Sequence, residues 1–285
     1  MKKFLSILLV ALISVAVVFT AVGCSETPGG NGKTGVLCTK EDGKYVVYKY
    51  VDDGTGVVDL DIASAVKQVY GENAEVIRIK EGAFDGNSTL KSVTVPTTVT
   101  EIDAGAFKNM KSLETLTLPF VGNNLISDAY TGQNDDAEIK AVDAERLFGS
   151  IFGKSEYTGG AKITQYYDGT TESIFYVPMT LRKILIAPLN DYEIPMYSFS
   201  GLTMISEISF SGKIVSIGER AFYNANCFSE LKLPVSVKTL YKGAFEGFSS
   251  LQKIDFAGTL TQWNEVVKGE NWNKNVSEYF TEKTA

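Results

Sequence analysis

The amino-acid sequence predicts an α/β repeat solenoid, a right-handed coil of short parallel strands with about 23 residues per turn, capped at both ends. Two cadences and one punctuation mark predict it. A small residue followed by phenylalanine recurs at Ala83-Phe84, Ala106-Phe107, Ser198-Phe199, Ala221-Phe222 and Ala244-Phe245, in steps of 23, 92, 23 and 23 residues, the long step being four times the short one. An aliphatic stands four residues before each pair, at Ile79, Ile102, Ile194, Ile217 and Leu240. The second cadence, large-x-x-large-x-large, reads Leu90-Val93-Val95, Leu113-Leu116-Leu118, Leu181-Ile184-Ile186, Ile205-Ile208-Phe210, Phe228-Leu231-Leu233 and Leu251-Ile254-Phe256. Its period-two ending is a short strand with alternate side chains inward. Proline follows directly at Pro96, Pro119 and Pro234, and its missing donor ends the strand there.

The elements are justified in chain order. Lys2 and Lys3 precede an uncharged, mostly apolar run from Phe4 to Val22, the pattern of an export signal. Ala21-Val22-Gly23-Cys24 resembles the bacterial lipobox, in which the cysteine is acylated, palmitate being a typical chain, and becomes the new N-terminus. That makes residues 1–23 a lipoprotein signal peptide and Cys24 the lipidation site. A run of this length could also remain as an uncleaved anchor. Residues 24–35 are polar and Gly-rich, a flexible tether. Within them Gly30-Asn31-Gly32-Lys33-Thr34-Gly35 satisfies G-x-G-x-x-G, but no strand precedes it, so it is no dinucleotide site.

Residues 36–75 form the N-terminal cap, with a strand over Lys44 to Val51 and a helix over Asp61 to Tyr70 whose apolar stripe is Ala63, Val66 and Tyr70. Residues 76–256 are the solenoid. Inside each turn the strand residues, the small residue and the phenylalanine point inward. A lone repeat cannot bury enough to fold, so neighbours must stack. Residues 120–178 break the cadence, and the fourfold spacing suggests inserted turns with enlarged loops. Leu181 fits two templates here, since Pro178-x-x-Leu181-x-x-Ile184 also matches Pro96-x-x-Val99-x-x-Ile102. Residues 257–285 are the C-terminal cap and tail, where Trp263, Val266 and Val267 read as a brief amphipathic helix. Trp263 and Trp272 serve either as an apolar lid or as a sugar-stacking pair.

The string from Leu90 to Phe107, LKSVTVPTTVTEIDAGAF, resembles the BspA-type leucine-rich repeat of bacterial surface proteins. So do Leu118-Pro119-Phe120-Val121-Gly122, Leu147-Phe148-Gly149, Ile151-Phe152-Gly153 and Tyr176-Val177-Pro178, which match an expanded segment of many members, and Gly258-Thr259 with Gln262-Trp263 near the C-terminus. The resemblance covers residues 76 to 275 and implies a leucine-rich-repeat coil and a surface adhesion role. The small residue after Ala-Phe, often Cys in that family, is here Asn87, Met110, Leu202, Ala225 or Phe248.

Composition bounds the chemistry. The chain has 285 residues, no histidine, and 27 Lys+Arg against 34 Asp+Glu. Without histidine, triad hydrolases and His-based metal centres lose their usual residue, and the acidic balance disfavours nucleic acid. Cys38 and Cys227 lie far apart with no disulfide framework around them. The expanded segment holds Tyr130, Tyr157, Tyr166 and Tyr167, residues that bury contact area at low entropic cost. They either meet a partner or pack the segment on the solenoid. Asp135, Asp136, Glu138, Asp143 and Glu145 lack calcium-loop spacing and read as solvated carboxylates.

The outward strand positions make two columns: Thr94, Thr117, Leu185, Ser209, Lys232, Asp255, and Ser92, Thr115, Lys183, Glu207, Glu230, Lys253. Lys183 with Glu207, and Glu230 with Lys253, fall one turn apart and can pair. No aromatic stands in either column. The expected function is therefore that of a lipid-anchored, non-enzymatic cell-surface protein without cofactor or metal. The resemblance implies adhesion to host matrix proteins or other bacteria. The alternatives are a cell-envelope enzyme using carboxylates of the expanded segment and a purely structural or inhibitory module.

Overall fold

The computed structural model describes residues 35–52, 54, 56–125, 143–166 and 170–273. The chain opens with an antiparallel hairpin of β1 (Val36–Glu41) and β2 (Lys44–Tyr50), whose two-residue turn places Asp42 and Gly43 at φ of 46° and 82°, the left-handed geometry that tight hairpins favour. Strand β1 carries no clean alternation and is not among the elements the sequence predicts. After β3 (Asp59–Asp61) comes α1 (Ile62–Tyr70), capped by the Asp61 carboxylate, which accepts from the Ser64 N–H at 2.7 Å. The buried face of α1 is Ile62, Ala65 and Val66, one position off the predicted stripe, because the helix starts at Ile62 and turns that side chain inward. Tyr70 is half-buried, and its hydroxyl accepts from the Cys38 N–H at 3.1 Å.

From here the chain alternates between two rows of strands: β4 (Val76–Ile79), β5 (Ser92–Thr94), β6 (Glu101–Ile102) and β7 (Thr115–Leu118). Past the expanded segment, with its hairpin of β8 (Gly160–Tyr166) and β9 (Glu172–Pro178), it resumes with β10 (Lys183–Ile186), β11 (Tyr192–Ile194), β12 (Glu207–Phe210) and β13 (Ile214–Ile217). It ends with β14 (Glu230–Leu233), β15 (Thr239–Leu240), β16 (Lys253–Phe256), α2 (Leu260–Glu265) and β17 (Val267–Lys268).

The first row is the parallel sheet β12-β10-β7-β5-β3, continued by the pair β14-β16. Registers are regular: Ser92 lies beside Thr115, Lys183 beside Glu207 and Glu230 beside Lys253. The second row is split into β1-β2-β4-β6 and β11-β13-β15-β17. Both cadences are buried, apart from the half-buried Phe210. Leu90, Val93, Leu113, Leu116 and Leu118 are sealed, as are Ile79, Ile102, Ile217 and Leu240.

The phenylalanines form a column. Tyr50 stacks on Phe84 at 5.8 Å, Phe84 on Phe107 at 5.0 Å, Phe199 on Phe222 at 5.2 Å and Phe222 on Phe245 at 5.4 Å. Each ring that opens an arm sits between two left-handed residues, two positions before and two after: Gly82 and Gly86 around Phe84, Gly105 and Asn109 around Phe107, Arg220 and Asn224 around Phe222. These kinks let successive backbones stack closely while the ring turns inward.

The expanded segment departs from expectation. Strand β7 pairs directly with β10, Leu116 beside Ile184, so 68 residues separate neighbouring rungs and no inserted turns lie between them in that sheet. The spacing of four periods is a coincidence of length. Leu181, Ile184 and Ile186 are all buried with β10 in the first row, which decides between the two templates for Leu181. The ring position of this single large turn is taken by a 3-10 helix, Phe148–Phe152, all five residues of which are buried. Phe152 meets Phe107 at 6.4 Å and Phe148 meets Phe199 at 5.8 Å, so the column continues.

At the C-terminus α2 is shorter than predicted. Thr259 and Gln262 form a capping box, and Val267 belongs to β17, where its N–H donates to the Lys238 carbonyl at 2.9 Å. A β-branched residue following the helix is better placed in a ladder than in another helical turn. Trp263 is 2% and Trp272 7% exposed. Their centroids lie 5.7 Å apart, with Phe256 5.1 Å from Trp263 and Phe245 6.3 Å from Trp272. They close the stack, and that burial removes the sugar-stacking reading.

Candidate protein-binding face

The residues that line the outside of the first row follow from the strand period. With Val93, Leu116, Ile184, Ile208, Leu231 and Ile254 inward, their neighbours must face out. In-register pairing then aligns them into the two predicted columns along β5, β7, β10 and β12, and again along the pair β14 and β16. The half built on β5 and β7 presents the hydroxyls of Ser92, Thr94, Thr115 and Thr117, and the half built on β10 to β16 presents charge.

That charge is paired between levels. Lys183 Nζ lies 3.4 Å from Glu207 and Lys253 Nζ 3.2 Å from Glu230. A third pair of the same offset, Lys91 with Glu114 at 3.2 Å, runs along the strand entrances. The Ser209 hydroxyl donates to Glu207 at 2.9 Å and, with the Lys183 ammonium, holds that carboxyl below its usual range. Exposed pairs of this kind add little stability. They fix the orientation of charge across a flat surface.

The sequence matches the BspA type leucine rich repeat region in six copies, over residues 66–140 and 171–267. The chain belongs to the BspA-type leucine-rich repeat family. No curated relative matches it. Among solved structures it is similar to a leucine-rich repeat protein of T. pallidum at 14% identity, over 83% of this chain and 79% of that one, with a TM-score of 0.32. A leucine-rich repeat protein from Bacteroides ovatus is 16% identical over 88% of this chain and 98% of that one, with a TM-score of 0.28. A leucine-rich cell surface protein from Faecalibacterium prausnitzii is 16% identical over 74% and 66%, with a TM-score of 0.21.

In this BspA-type chain the other predicted residues divide. Cys24, Tyr130, Tyr167, Asp135, Asp136 and Glu138 lie outside the described residues. Tyr157 is half-buried against Gly160, and burial pushes its phenol well above the ordinary tyrosine value. The Tyr166 ring meets Tyr223 edge-on at 5.5 Å, and the Ser200 hydroxyl both accepts from the Tyr166 N–H at 2.9 Å and donates to its carbonyl at 3.0 Å. Tyr166 therefore packs the hairpin onto the repeats, while Tyr157 lies against the start of the hairpin itself. Glu145 accepts from the Asn124 side chain at 2.8 Å. Among the described residues no group of three or more His, Cys, Asp or Glu could hold a metal ion, and no helix is long and apolar enough to cross a membrane.

One residue was missed by sequence reasoning. Gln165, fully buried, accepts from the Gly149 N–H at 2.6 Å and donates to the Ser198 and Ser200 carbonyls at 3.1 Å each. It ties hairpin, 3-10 helix and the next repeat together. Its only sequence signal is a polar residue at an inward position of the alternation Ile163-x-Gln165.

Proposed function

We propose that the chain is a lipid-anchored surface protein, held by acylated Cys24 after removal of residues 1–23, whose repeats form a right-handed solenoid of about 23 residues per turn that displays a polar face to other proteins. Residues 24–35 act as the tether, 36–75 and 257–285 as caps, and 120–178 as one expanded turn. The role is adhesion, to host matrix proteins or to the surfaces of other bacteria. Catalysis, cofactor and metal form no part of it.

The observation that carries this reading is the two registered, outward pairs Lys183 with Glu207 and Glu230 with Lys253, each with its ionic partner one level away. Such a face offers directional charge without a concave pocket, which suits a protein surface better than a small substrate. Membership of the BspA-type family supports the surface placement.

The test is a binding screen of residues 25–285 against extracellular-matrix and bacterial surface proteins, repeated with Lys183→Glu and Lys253→Glu together. Loss of a captured partner with an unchanged melting curve supports the face, and capture that ignores both substitutions moves binding elsewhere. Separately, Cys24→Ser in the exporting cell should release the chain from the membrane fraction. Unchanged fractionation and mass would remove the lipid anchor.

A further inference from the structure

Among the described residues the strand face is bonded from level to level except at one seam. Where a regular level begins, the N–H of its first strand residue donates to the level before: Thr115 to the Lys91 carbonyl at 2.9 Å, Lys183 to Glu114 at 3.1 Å, Glu207 to Arg182 at 3.0 Å and Lys253 to Ser229 at 3.0 Å. The equivalent bond from Glu230 to Ser206 is absent, and β12 and β14 belong to separate sheets. A hydroxyl three residues before the strand repeats the tie, from Ser112 to the Ser88 carbonyl at 2.7 Å, Thr180 to Leu113 at 2.7 Å and Ser250 to Phe228 at 3.0 Å. Before β14 that place is held by Cys227. At the far end the N–H groups of Ala187, Ser211 and Ala257 donate to the preceding level, whereas Pro234 in that position has no donor.

The side chains follow the same fault. Phe210 is half-buried while Val95, Leu118, Ile186 and Leu233 at its position are sealed, and Phe228 is 8% exposed where Leu113, Leu181 and Ile205 are at 0%. Glu207 and Glu230 hold equivalent positions on either side, and each turns to a lysine of its own plate, Lys183 or Lys253. Like charges directly opposite one another push strands apart. After Ser209 and Lys183, Lys232 is a weaker influence on the Glu207 carboxyl from across the seam. No ion pair of the described residues joins β12 to β14. Both ends of the seam are tied. The Asn226 N–H donates to the Leu202 carbonyl at 2.7 Å on the arm side, and the Lys238 N–H to the Val215 carbonyl at 2.8 Å where β13 and β15 pair.

We infer that the strand face is articulated at this seam: the plate β14-β16 opens and closes against β12, turning on the bonded second row β13-β15, with repulsion between Glu207 and Glu230 favouring the open form. Backbone groups without partners make this level the easiest to open. The displayed charge is then two patches, Lys183 with Glu207 and Glu230 with Lys253, whose spacing changes. A partner that bridges them selects one spacing. Opening is read without any partner, so a failed binding screen leaves it standing.

Spin labels at Ser209→Cys and Lys232→Cys, one level apart across the seam, report its width by electron paramagnetic resonance in a chain carrying Cys24→Ser, Cys38→Ala and Cys227→Ala. Labels at Thr94→Cys and Thr117→Cys, neighbours in the bonded β5 and β7, are the control. The seam pair should show a broader distance distribution with a second, longer population, and Glu207→Gln with Glu230→Gln should shift it toward the shorter one. Labelled chains are compared only where their melting curves match the cysteine-free parent. Native-state hydrogen exchange of the Cys24→Ser chain needs no substitution near the seam. There the Glu230 and Lys232 amides should exchange at least about tenfold faster than those of Lys253 and Asp255. A seam distribution as narrow as the control, no response to the paired Gln substitutions, or equal protection of the four amides would each overturn the inference.

Discussion

Phe84 and Phe107, 23 residues apart in sequence, lie with centroids 5.0 Å apart and ring planes 16° from parallel. The backbone repeats the relationship around them: the Phe84 N–H donates to the Ala106 carbonyl at 2.9 Å, just as the Phe222 N–H donates to Ala244 at 2.9 Å. One period of sequence thus becomes one step of ladder and one step of ring stack. The small residue before each phenylalanine is what lets the two coincide, because a larger side chain there would hold neighbouring arms apart.

Phe107 sits at the joint between the regular repeats and the expanded turn, fully buried and touching both Phe84 and Phe152. Phe107→Ala should cost about 3 to 5 kcal/mol, as truncation leaves a cavity that two flanking levels cannot both collapse into. Equilibrium urea unfolding reads the loss. An unchanged midpoint would place the ring outside the load of the core.

The repeats were legible because every inward residue recurs, so Ile79, Ile102 and Ile194 announce one environment three times. The expanded turn was not legible for the opposite reason. Its ring position is filled by Phe148 and Phe152 from a 3-10 helix, and its hairpin alternates with period two, so neither carries the cadence of its neighbours. The spacing of 92 residues from Phe107 to Phe199 then counted as four turns what the ladder shows to be two steps, a regular one from β5 to β7 and one long one from β7 to β10. Strand face residues could be assigned to columns by period alone, but Tyr166 could not be placed, since its packing partners Ser200 and Tyr223 are remote in sequence. Gln165 was hidden for the same reason.

Gln165→Ala should strand the buried Gly149 N–H at about 1 to 3 kcal/mol, with further loss at the Ser198 and Ser200 carbonyls. Gln165→Glu should be worse, because a carboxylate still accepts from Gly149 but faces two carbonyl oxygens with no donor. Limited proteolysis within 160–178, compared with cleavage elsewhere, distinguishes a loosened hairpin from global unfolding. The neighbouring Gly201, at φ of 65° and hard against the Thr164 carbonyl, admits no Cβ. Gly201→Ala should therefore detach the same hairpin.

Cys38 and Cys227 are free thiols, and burial pushes both up to about 12 from an ordinary 9.0. At about pH 8 neither carries much thiolate, so an aromatic disulfide reagent should react slowly with the native Cys24→Ser chain and quickly once it is unfolded. The sign of the linkage is set by the same shift. Between about 9 and about 12 the unfolded chain releases these protons while the folded one keeps them, so stability falls as pH rises through that window. Fast modification of the native chain would show either thiol to be open to solvent.

Lys183 and Glu207 test how much the strand face is spent on stability. Their side chains are 60% and 51% exposed, and a double-mutant cycle with Lys183→Met and Glu207→Gln should return a coupling of about 0.2 to 1 kcal/mol. The Glu207 carboxyl is held low first by the Ser209 hydroxyl and only then by Lys183. Ser209→Ala should accordingly raise its titration midpoint more than Lys183→Met does, as followed by carboxyl NMR shifts. Because the folded value is depressed, the stabilisation is present above the unfolded midpoint and is lost as pH falls through the folded one. A coupling well above that range, surviving high salt, would mean that this pair holds adjacent strands together, leaving its charges poorly placed to exchange partners with a bound protein.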